Sequence, residues 1–298
     1  MDIKQLQYFV RIAELGSVSR AADALAVAQP ALSRQVRLLE VELGVSVFIR
    51  HGRGVRLTES GKTLYEHALG ILHQCDRTRA LMQHTSHEVA GKVAVGLPPS
   101  LCKLLAAPLL SSLQRRHPGI RVTVREGLSS HLMEWLLGGS LDCALVYNAV
   151  VTPEIIAKPL GIEPRWLVSS KLNSLHRKRL NLEALAALPL ILPSRPHATR
   201  LNVDRALADI GKVANVVAEV DGVPAILELV RGGFGHAVLP LAAVKASGNA
   251  SDFVTTALSG HAIESKLSLV TAARRPESNA QRAVSEELSN LAIKEISQ

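Results

Sequence analysis

The sequence predicts two unlike parts in one chain: a mainly α, N-terminal winged helix-turn-helix with a long linker helix, then a two-lobed α/β domain. Three observations carry this. Between Gly16 and Val55, two short helical patterns flank a tight turn and lead into a stretch rich in Gly and Arg. From Glu59 to about Ser86, apolar residues recur at spacings of three and four. Beyond Gly91, short apolar runs alternate with helical patterns, the signature of a parallel sheet with crossover helices.

In the first part, Ala21, Ala22 and Ala24 let two short helices approach closely, and Val27 to Gln29 supply a three-residue turn. Pro30 suits the first turn of the second helix, where its missing N–H costs nothing. Leu32, Val36, Leu39 and Leu43 mark that helix's buried face, and Ser33, Arg34 and Arg37 gather on another. Arginine pairs bidentately with guanine and serine reaches a base edge or phosphate, so this helix suits a major groove. Two solvated arginines on an ordinary surface helix are the bland alternative. Against it stand the turn, the proline, the alanine-packed first helix and a basic tip of Arg50, His51, Arg53 and Arg56 around Gly52 and Gly54. Base readout is assigned to Gln29, Ser33, Arg34 and Arg37, with Pro30 setting the helix start. Ser17 and Arg20 join them from the first helix, and Arg50, Arg53 and Arg56 are assigned to the DNA backbone.

The net charge of +8 and pI near 9.7 suit a polyanion-binding protein, yet residues 1–90 hold 11 basic against 9 acidic side chains. Bulk charge is therefore weak support. The local run from Arg50 to Lys62, with four basic residues and one acid, says more. Cys75, Cys102 and Cys143 form no C-x-x-C or Cys/His cluster, which argues against structural zinc and a disulfide framework. A reducing cytoplasm is the expected compartment. The N-terminus reads as an amphipathic helix rather than a signal peptide, and no apolar run is long enough for a membrane span.

In the long helix, Leu64, Ala68, Ile71, Cys75, Thr78 and Met82 form a heptad-like stripe that needs cover. A second copy of the chain and the first helix (Leu6, Phe9, Val10) are the two candidates, and both can serve. A polar hinge follows at His84-Thr85-Ser86-His87-Glu88 and Gly91. Next come strands at 92–97, 120–126 and 141–147 with helices at 101–116 and 130–137. A second unit starts near Arg165 with Trp166-Leu167-Val168. It continues with strands at 188–192, 215–220 and 235–239 and helices at 200–210 and 223–230. A strand at 266–272 and a helix at 277–296 close the chain, the helix returning to the first unit. The expected domains are 1–58, a linker at 59–90, and 91–298. The last divides into lobe I (about 91–163 and 268–298) and lobe II (about 164–267).

Met1-Asp2-Ile3-Lys4-Gln5-Leu6-Gln7-Tyr8-Phe9, Gln29-Pro30-Ala31-Leu32-Ser33 and Leu57-Thr58-Glu59-Ser60-Gly61 resemble the N-terminal domain of LysR-type transcriptional regulators. The stretch from Arg50 to Cys75 and Gly91-Lys92-Val93-Ala94-Val95-Gly96-Leu97 look most like the nitrogen-assimilation-control subgroup. The resemblance implies a bacterial, cytoplasmic, nucleoid-associated regulator that binds double-stranded promoter DNA as a homo-oligomer, a dimer of dimers, paired through the linker helix. It also implies a periplasmic-binding-protein-like effector domain, and RNA polymerase as partner if the regulator is an activator.

In open α/β sheets ligands sit beyond the carboxyl ends of strands or between lobes. Pro99, Ser100, Leu101 and Cys102 occupy such a place, as do Ser129 and Ser130. Tyr147, the segment Arg195, His197, Thr199 and Arg200, and Gly222 with Val223 complete the candidates. Helix starts with hydroxyl caps and nearby Arg and His suggest a small carboxylate effector. Each serine or threonine alone is equally an ordinary cap, Arg200 could bridge the lobes, and Cys102 reads more readily as a structural thiol. Gly232-Gly233-Phe234-Gly235 precedes a strand and reads as a helix end rather than a phosphate loop. No nucleophile, acid–base or metal motif stands out, so no catalysis and no cofactor are expected. Two rivals accompany the effector-responsive regulator. One is an effector-independent regulator or architectural DNA-binding protein whose α/β domain only oligomerises. The other is a small-molecule binding protein with an incidental N-terminal domain, which predicts no salt-sensitive DNA binding.

Overall fold

The computed structural model describes residues 1–52, 54–83, 89–175, 177–259 and 263–297. Arg53 and the hinge expected at 84–88 lie outside the described residues. The chain forms two units, Met1–His87 with Glu134–Asp142, and Glu88–Met133 with Cys143–Gln298.

In the first unit, α1 (Ile3–Leu15) opens with a reciprocal cap, Asp2 accepting from the Gln5 amide at 2.7 Å and Gln5 accepting from the Asp2 amide at 3.0 Å. It ends at Gly16, whose φ of 62° is left-handed. Then follow α2 (Val18–Ala24), α3 (Gln29–Leu43), the antiparallel hairpin β1 (Phe48–His51) and β2 (Gly54–Leu57), and α4 (Glu59–Gln83). Phe9, Ile12, Leu32 and Leu39 are fully buried at the centre, and buried Ala21 and Ala22 bring α2 close. Leu43 departs from the expected stripe. It is 37% exposed because α3 stops there, at left-handed Gly44, with no further turn to cover it. The first half of α4 packs on the core through Leu64, buried Ala68 and Ile71, while Met82 is 77% exposed. The first helix therefore covers only part of the α4 stripe. Farther along, Gly70 lies so close to the Gly138 carbonyl that no Cβ fits. The buried Asp142 carboxylate faces α4, 2.8 Å from His73 Nε2 and 3.6 Å from Arg77 Nη1.

The second unit runs β3 (Gly91–Leu97), α5 (Pro99–Arg116), β4 (Ile120–Glu126), α6 (Ser129–Leu137), β5 (Cys143–Tyr147) and the 16-residue β6 (Ile155–Ser170). It continues with β7 (Arg179–Leu180), α7 (Leu182–Ala187), β8 (Leu190–Leu192), α8 (Ala198–Ala208), β9 (Val216–Glu219), α9 (Val223–Arg231) and β10 (His236–Pro240). Last come α10 (Leu241–Ala246), β11 (Phe253–Leu258), β12 (Glu264–Ala272) and α11 (Asn279–Ile296). Strand order is β4-β3-β5-β12-β6-β10-β8-β9. β3 runs parallel to β4 and β5, and β8 parallel to β9 and β10, as crossover helices require. The strands that cross between lobes depart from this parallel pattern: β12 is antiparallel to β5 and β6, and β6 to β10 and β11. Lobe I packs Val95, Leu97, Leu105 and Leu109 against Val284 and Leu288 of α11. Lobe II buries both sheet faces, Leu190, Leu192 and Val238 on one and Ile191, Ala237 and Leu239 on the other.

Candidate DNA-binding groove and effector cleft

Gln29, Ser33 and Arg37 fall at i, i+4 and i+8 along α3, one face of the helix, with Pro30 and Arg34 beside them. A groove of about 600 Å³ runs between this face and the hairpin, and Ser33, Arg34, Arg37 and Arg50 all line it. Among the described residues no ion pair involves Arg34 or Arg37, and both are exposed. The hairpin is held in place by Glu40, one turn beyond Arg37. Its carboxylate accepts from the Val47 amide at 2.8 Å and the Phe48 amide at 3.3 Å. Gly54 lies against the Gly16 carbonyl, where a Cβ would collide, and the Val55 amide donates to that carbonyl at 3.0 Å. β2 is thus bolted to the end of α1. The pairing Arg50↔Val55 and Ile49↔Arg56 puts Arg50 on the groove side and Arg56 on the opposite face of the hairpin. Ser17 caps α2 by accepting from the Arg20 amide at 3.4 Å, and the Arg20 guanidinium donates to the Leu15 carbonyl.

In the second unit, Pro99 and Ser100 form the first turn of α5, half-buried, with Pro98 as cap. Leu101 corrects the sequence reading: its side chain is fully buried in the lobe I core, turned away by the helical rotation from Ser100. Burial, then Glu126, pushes the half-buried Cys102 thiol above its ordinary pKa, which disfavours the thiolate. Ser129 Oγ accepts from the Tyr147 amide at 3.1 Å, tying α6 to the end of β5, and Ser130 is exposed. In lobe II, His197 caps α8, its Nδ1 accepting from the Thr199 amide at 3.1 Å, and Thr199 is buried. Burial, then Arg165, holds the His197 imidazole below its ordinary 6.5, with Asp221 partly offsetting this. Gly222 caps α9 and Val223 begins it, while Asp221 accepts from the Ser194 amide at 2.9 Å and from its hydroxyl.

The arginines assigned to the cleft have other partners. Arg195 pairs with Asp204 at 2.6 Å. Arg200 is buried against Asp204 at 3.0 Å, Glu219 at 2.6 Å and the Pro193 carbonyl at 3.3 Å. These bonds stay inside lobe II, so Arg200 braces the β8–α8 loop against β9 rather than bridging the lobes or reading a ligand.

Sequence reasoning passed over Glu163 and Arg165. β6 changes partners at this point, pairing with β12 up to Pro164 and with β10 and β11 beyond it. Two residues apart on a strand, the pair shares one face. Arg165 Nη1 donates to Glu163 Oε2 at 2.7 Å, both side chains are buried, and the guanidinium lies 4.9 Å from the centre of the Tyr147 ring. A Glu-x-Arg pair inside an apolar strand was the available signal. Nearby, Asn148, at φ 52°, accepts from the Lys266 amide at 2.9 Å and donates to Asn202 Oδ1 at 3.3 Å. Asn202 in turn donates to Ser265 Oγ at 2.9 Å, which ties lobe I, α8 and β12 together. Among the described residues no cluster of three His, Cys, Asp or Glu could hold a metal ion, and no helix is long and apolar enough to cross a membrane.

Comparison with known proteins follows this division of the chain. Residues 3–62 match the bacterial regulatory helix-turn-helix protein, lysR family, and residues 86–292 match the LysR substrate binding domain. The nitrogen assimilation regulatory protein of Klebsiella aerogenes is 32% identical over 98% of this chain and 95% of its own length. That of Escherichia coli (strain K12) is 33% identical over 82% of this chain and 80% of its own. A full-length OxyR variant from Pseudomonas aeruginosa superposes with a TM-score of 0.70 at 26% identity, covering 100% of this chain and 96% of that one. With the helix-turn-helix at one end and the two-lobed α/β domain at the other, the chain belongs to the LysR family of DNA-binding transcriptional regulators.

Proposed function

We propose that this regulator reads operator DNA with Gln29, Ser33, Arg34 and Arg37, steadied on the backbone by Arg50, Arg53 and Arg56. A small carboxylate between its α/β lobes modulates that grip. The observation that carries the reading is the α3–hairpin groove, which collects Ser33, two unpaired arginines and Arg50 on one surface. Residues 1–58 act as the DNA-binding domain, 59–90 as the linker and 91–298 as the effector domain. The uncovered end of the α4 stripe supports pairing of two copies, and a dimer of dimers would set recognition helices on a pseudo-palindrome. The protein works in the bacterial cytoplasm at the nucleoid, performs no catalysis, and touches RNA polymerase if it activates. Effector binding changes lobe closure and so the disposition of the DNA-binding heads.

A second reading, an effector-independent regulator, is favoured by one observation: each cleft arginine already holds a carboxylate of the chain itself. A gel shift on DNA upstream of the protein's own gene, with random DNA as competitor and a panel of small carboxylates, separates the two. Specific retention lost in Arg34→Ala and a footprint moved by one acid is the expected result. Retention indifferent to every acid would favour the second reading, and no specific retention would sink both.

A further inference from the structure

We propose that lobe II carries a second DNA contact. A basic arch of Lys171, Arg177, Lys178 and Arg179 grips the phosphate backbone of bound duplex, whatever its sequence.

The sequence concentrates charge here. Beyond residue 90 the chain holds 23 basic side chains against 17 acidic ones. Four of the nine residues from Lys171 to Arg179 are basic, and no Asp or Glu occurs between Glu163 and Glu183. All four cations are exposed, and among the described residues none of the four side chains has a hydrogen bond or an ion pair. Other surface cations of this unit do find carboxylates: Arg116 pairs with Glu287, Arg231 with Glu228 and Lys245 with Glu295.

A charged run is ordinarily the solvated face of a loose loop and needs no partner. Anchoring sets this one apart. Ser170 accepts from the Leu172 amide at 3.3 Å, capping the 3-10 turn Lys171–Asn173, and Asn173 Nδ2 donates to the Gly233 carbonyl at 3.1 Å. Leu175 packs on the lobe II core, and Leu180 is buried in it. β7 pairs Arg179 with Ala257 and Leu180 with Leu258, and the Leu180 carbonyl accepts from the Ser259 amide at 2.7 Å. The cations therefore stand between fixed points, held close against their own repulsion. Charges fixed in this way lose little further freedom on meeting a polyanion, and they displace its counterions.

The chemistry favours duplex DNA. The guanidinium forks of Arg177 and Arg179 match phosphate oxygens, and the lysines add point charge. No Phe, Tyr or Trp occurs from Lys171 to Arg179, so the arch offers no platform for the bases of a single strand. A protein interface needs an apolar centre, and Leu172 is the one large apolar side chain that the described residues of the arch expose. Asn173, the one side-chain amide in the run, spends its nitrogen on Gly233, which leaves phosphate contact rather than base reading.

The test is full-chain binding to a long duplex from upstream of the protein's own gene and to random duplex of equal length, read by anisotropy as salt is raised. The arch variant is Lys171→Gln/Arg177→Gln/Lys178→Gln/Arg179→Gln. Its charge-matched control is Lys103→Gln/Lys158→Gln/Arg282→Gln/Lys294→Gln, four exposed cations spread over lobe I. The arch variant should lower the salt slope by about 2 to 4 on both duplexes and weaken both about ten- to a hundredfold. Its preference between the two duplexes and its melting temperature should match wild type. The control should lower the slope by less than about 1, and Arg177→Lys/Arg179→Lys, which keeps the charge, should retain it. Should the arch variant fold poorly, Lys178→Gln alone should still lower the slope by about 1. The slope on random duplex is read even where specific retention fails, so this site and the operator reading stand or fall separately. An arch variant that binds both duplexes like wild type would leave the arch to an acidic protein and overturn the proposal. So would a control that falls as far, or an arch variant that loses preference rather than overall affinity.

Discussion

Arginine serves opposite ends in the two halves of this molecule. On α3, Arg34 and Arg37 stand exposed in a groove, with no ion pair among the described residues. In the α/β unit, Arg165 and Arg200 are buried, each within 2.6–2.7 Å of a glutamate. An exposed, unpaired cation costs little to present and gains when it displaces counterions from a polyanion. A buried cation must be paired to exist there at all, so it stores a partner that another anion can challenge. Position on the fold, rather than residue type, decides whether an arginine stands open to solvent or is tied to a carboxylate of the chain.

The largest expected effect tests the buried side. Arg165→Met leaves Glu163 uncompensated and should cost about 3–5 kcal/mol in urea unfolding, most of it recovered by adding Glu163→Leu. A loss under about 1 kcal/mol would mean the pair is more hydrated than its burial implies. On the exposed side, Arg34→Ala should leave stability nearly unchanged and cost about 1–3 kcal/mol of discrimination at one base pair. Equal weakening on specific and random DNA would contradict base readout. Glu40→Ala sits between the two cases, removing an acceptor from two amides at the hairpin root. It should cost about 1–2 kcal/mol and weaken DNA binding through a loosened hairpin. Glu40→Gln, still an acceptor, should restore most of both. Arg50→Ala should weaken all sequences alike and lower the salt slope of binding by about 1.

The smallest effect concerns pH. His236, by burial, and His197, by burial and then Arg165, are held below the ordinary 6.5. The unfolded chain therefore binds protons first, and the stability these groups supply is full above pH 6.5 and lost as pH falls toward their lowered values. Melting temperature should decline on acidification below 6.5, and His236→Asn should flatten that decline. An unchanged slope would place the acid sensitivity elsewhere.

How much was legible depended on how local the signal was. Helix α3 could be read because a turn, a proline at its start and an apolar period follow one another closely. The parallel strands of each lobe and the return of α11 followed from period and length, and the resemblance to nitrogen assimilation regulators is matched by relatives of that name. Six-residue α7 and α10 were missed because fewer than two turns give no readable period, and β11 because it pairs only with distant β6 and β7. In the α/β unit the helix starts were legible, but the capping groups were not: Pro98 precedes α5, His197 caps α8, and Ser129 Oγ accepts from the Tyr147 amide. The ion pairs of Arg195 and Arg200 were not foreseen, because a contact such as that of Arg200 with Glu219 joins elements separated in sequence.

Lobe I is finished by α11, which begins at Asn279, after all of lobe II has been threaded between β6 and β12. During synthesis, the apolar faces of β3 and α5 must wait until Val284 and Leu288, far along the chain, arrive to cover them. Lobe II has all its strands by then and can fold first. Folding order on the ribosome therefore inverts chain order, and a nascent chain cut short before α11 would carry a sound second lobe on a sticky, unfinished first one.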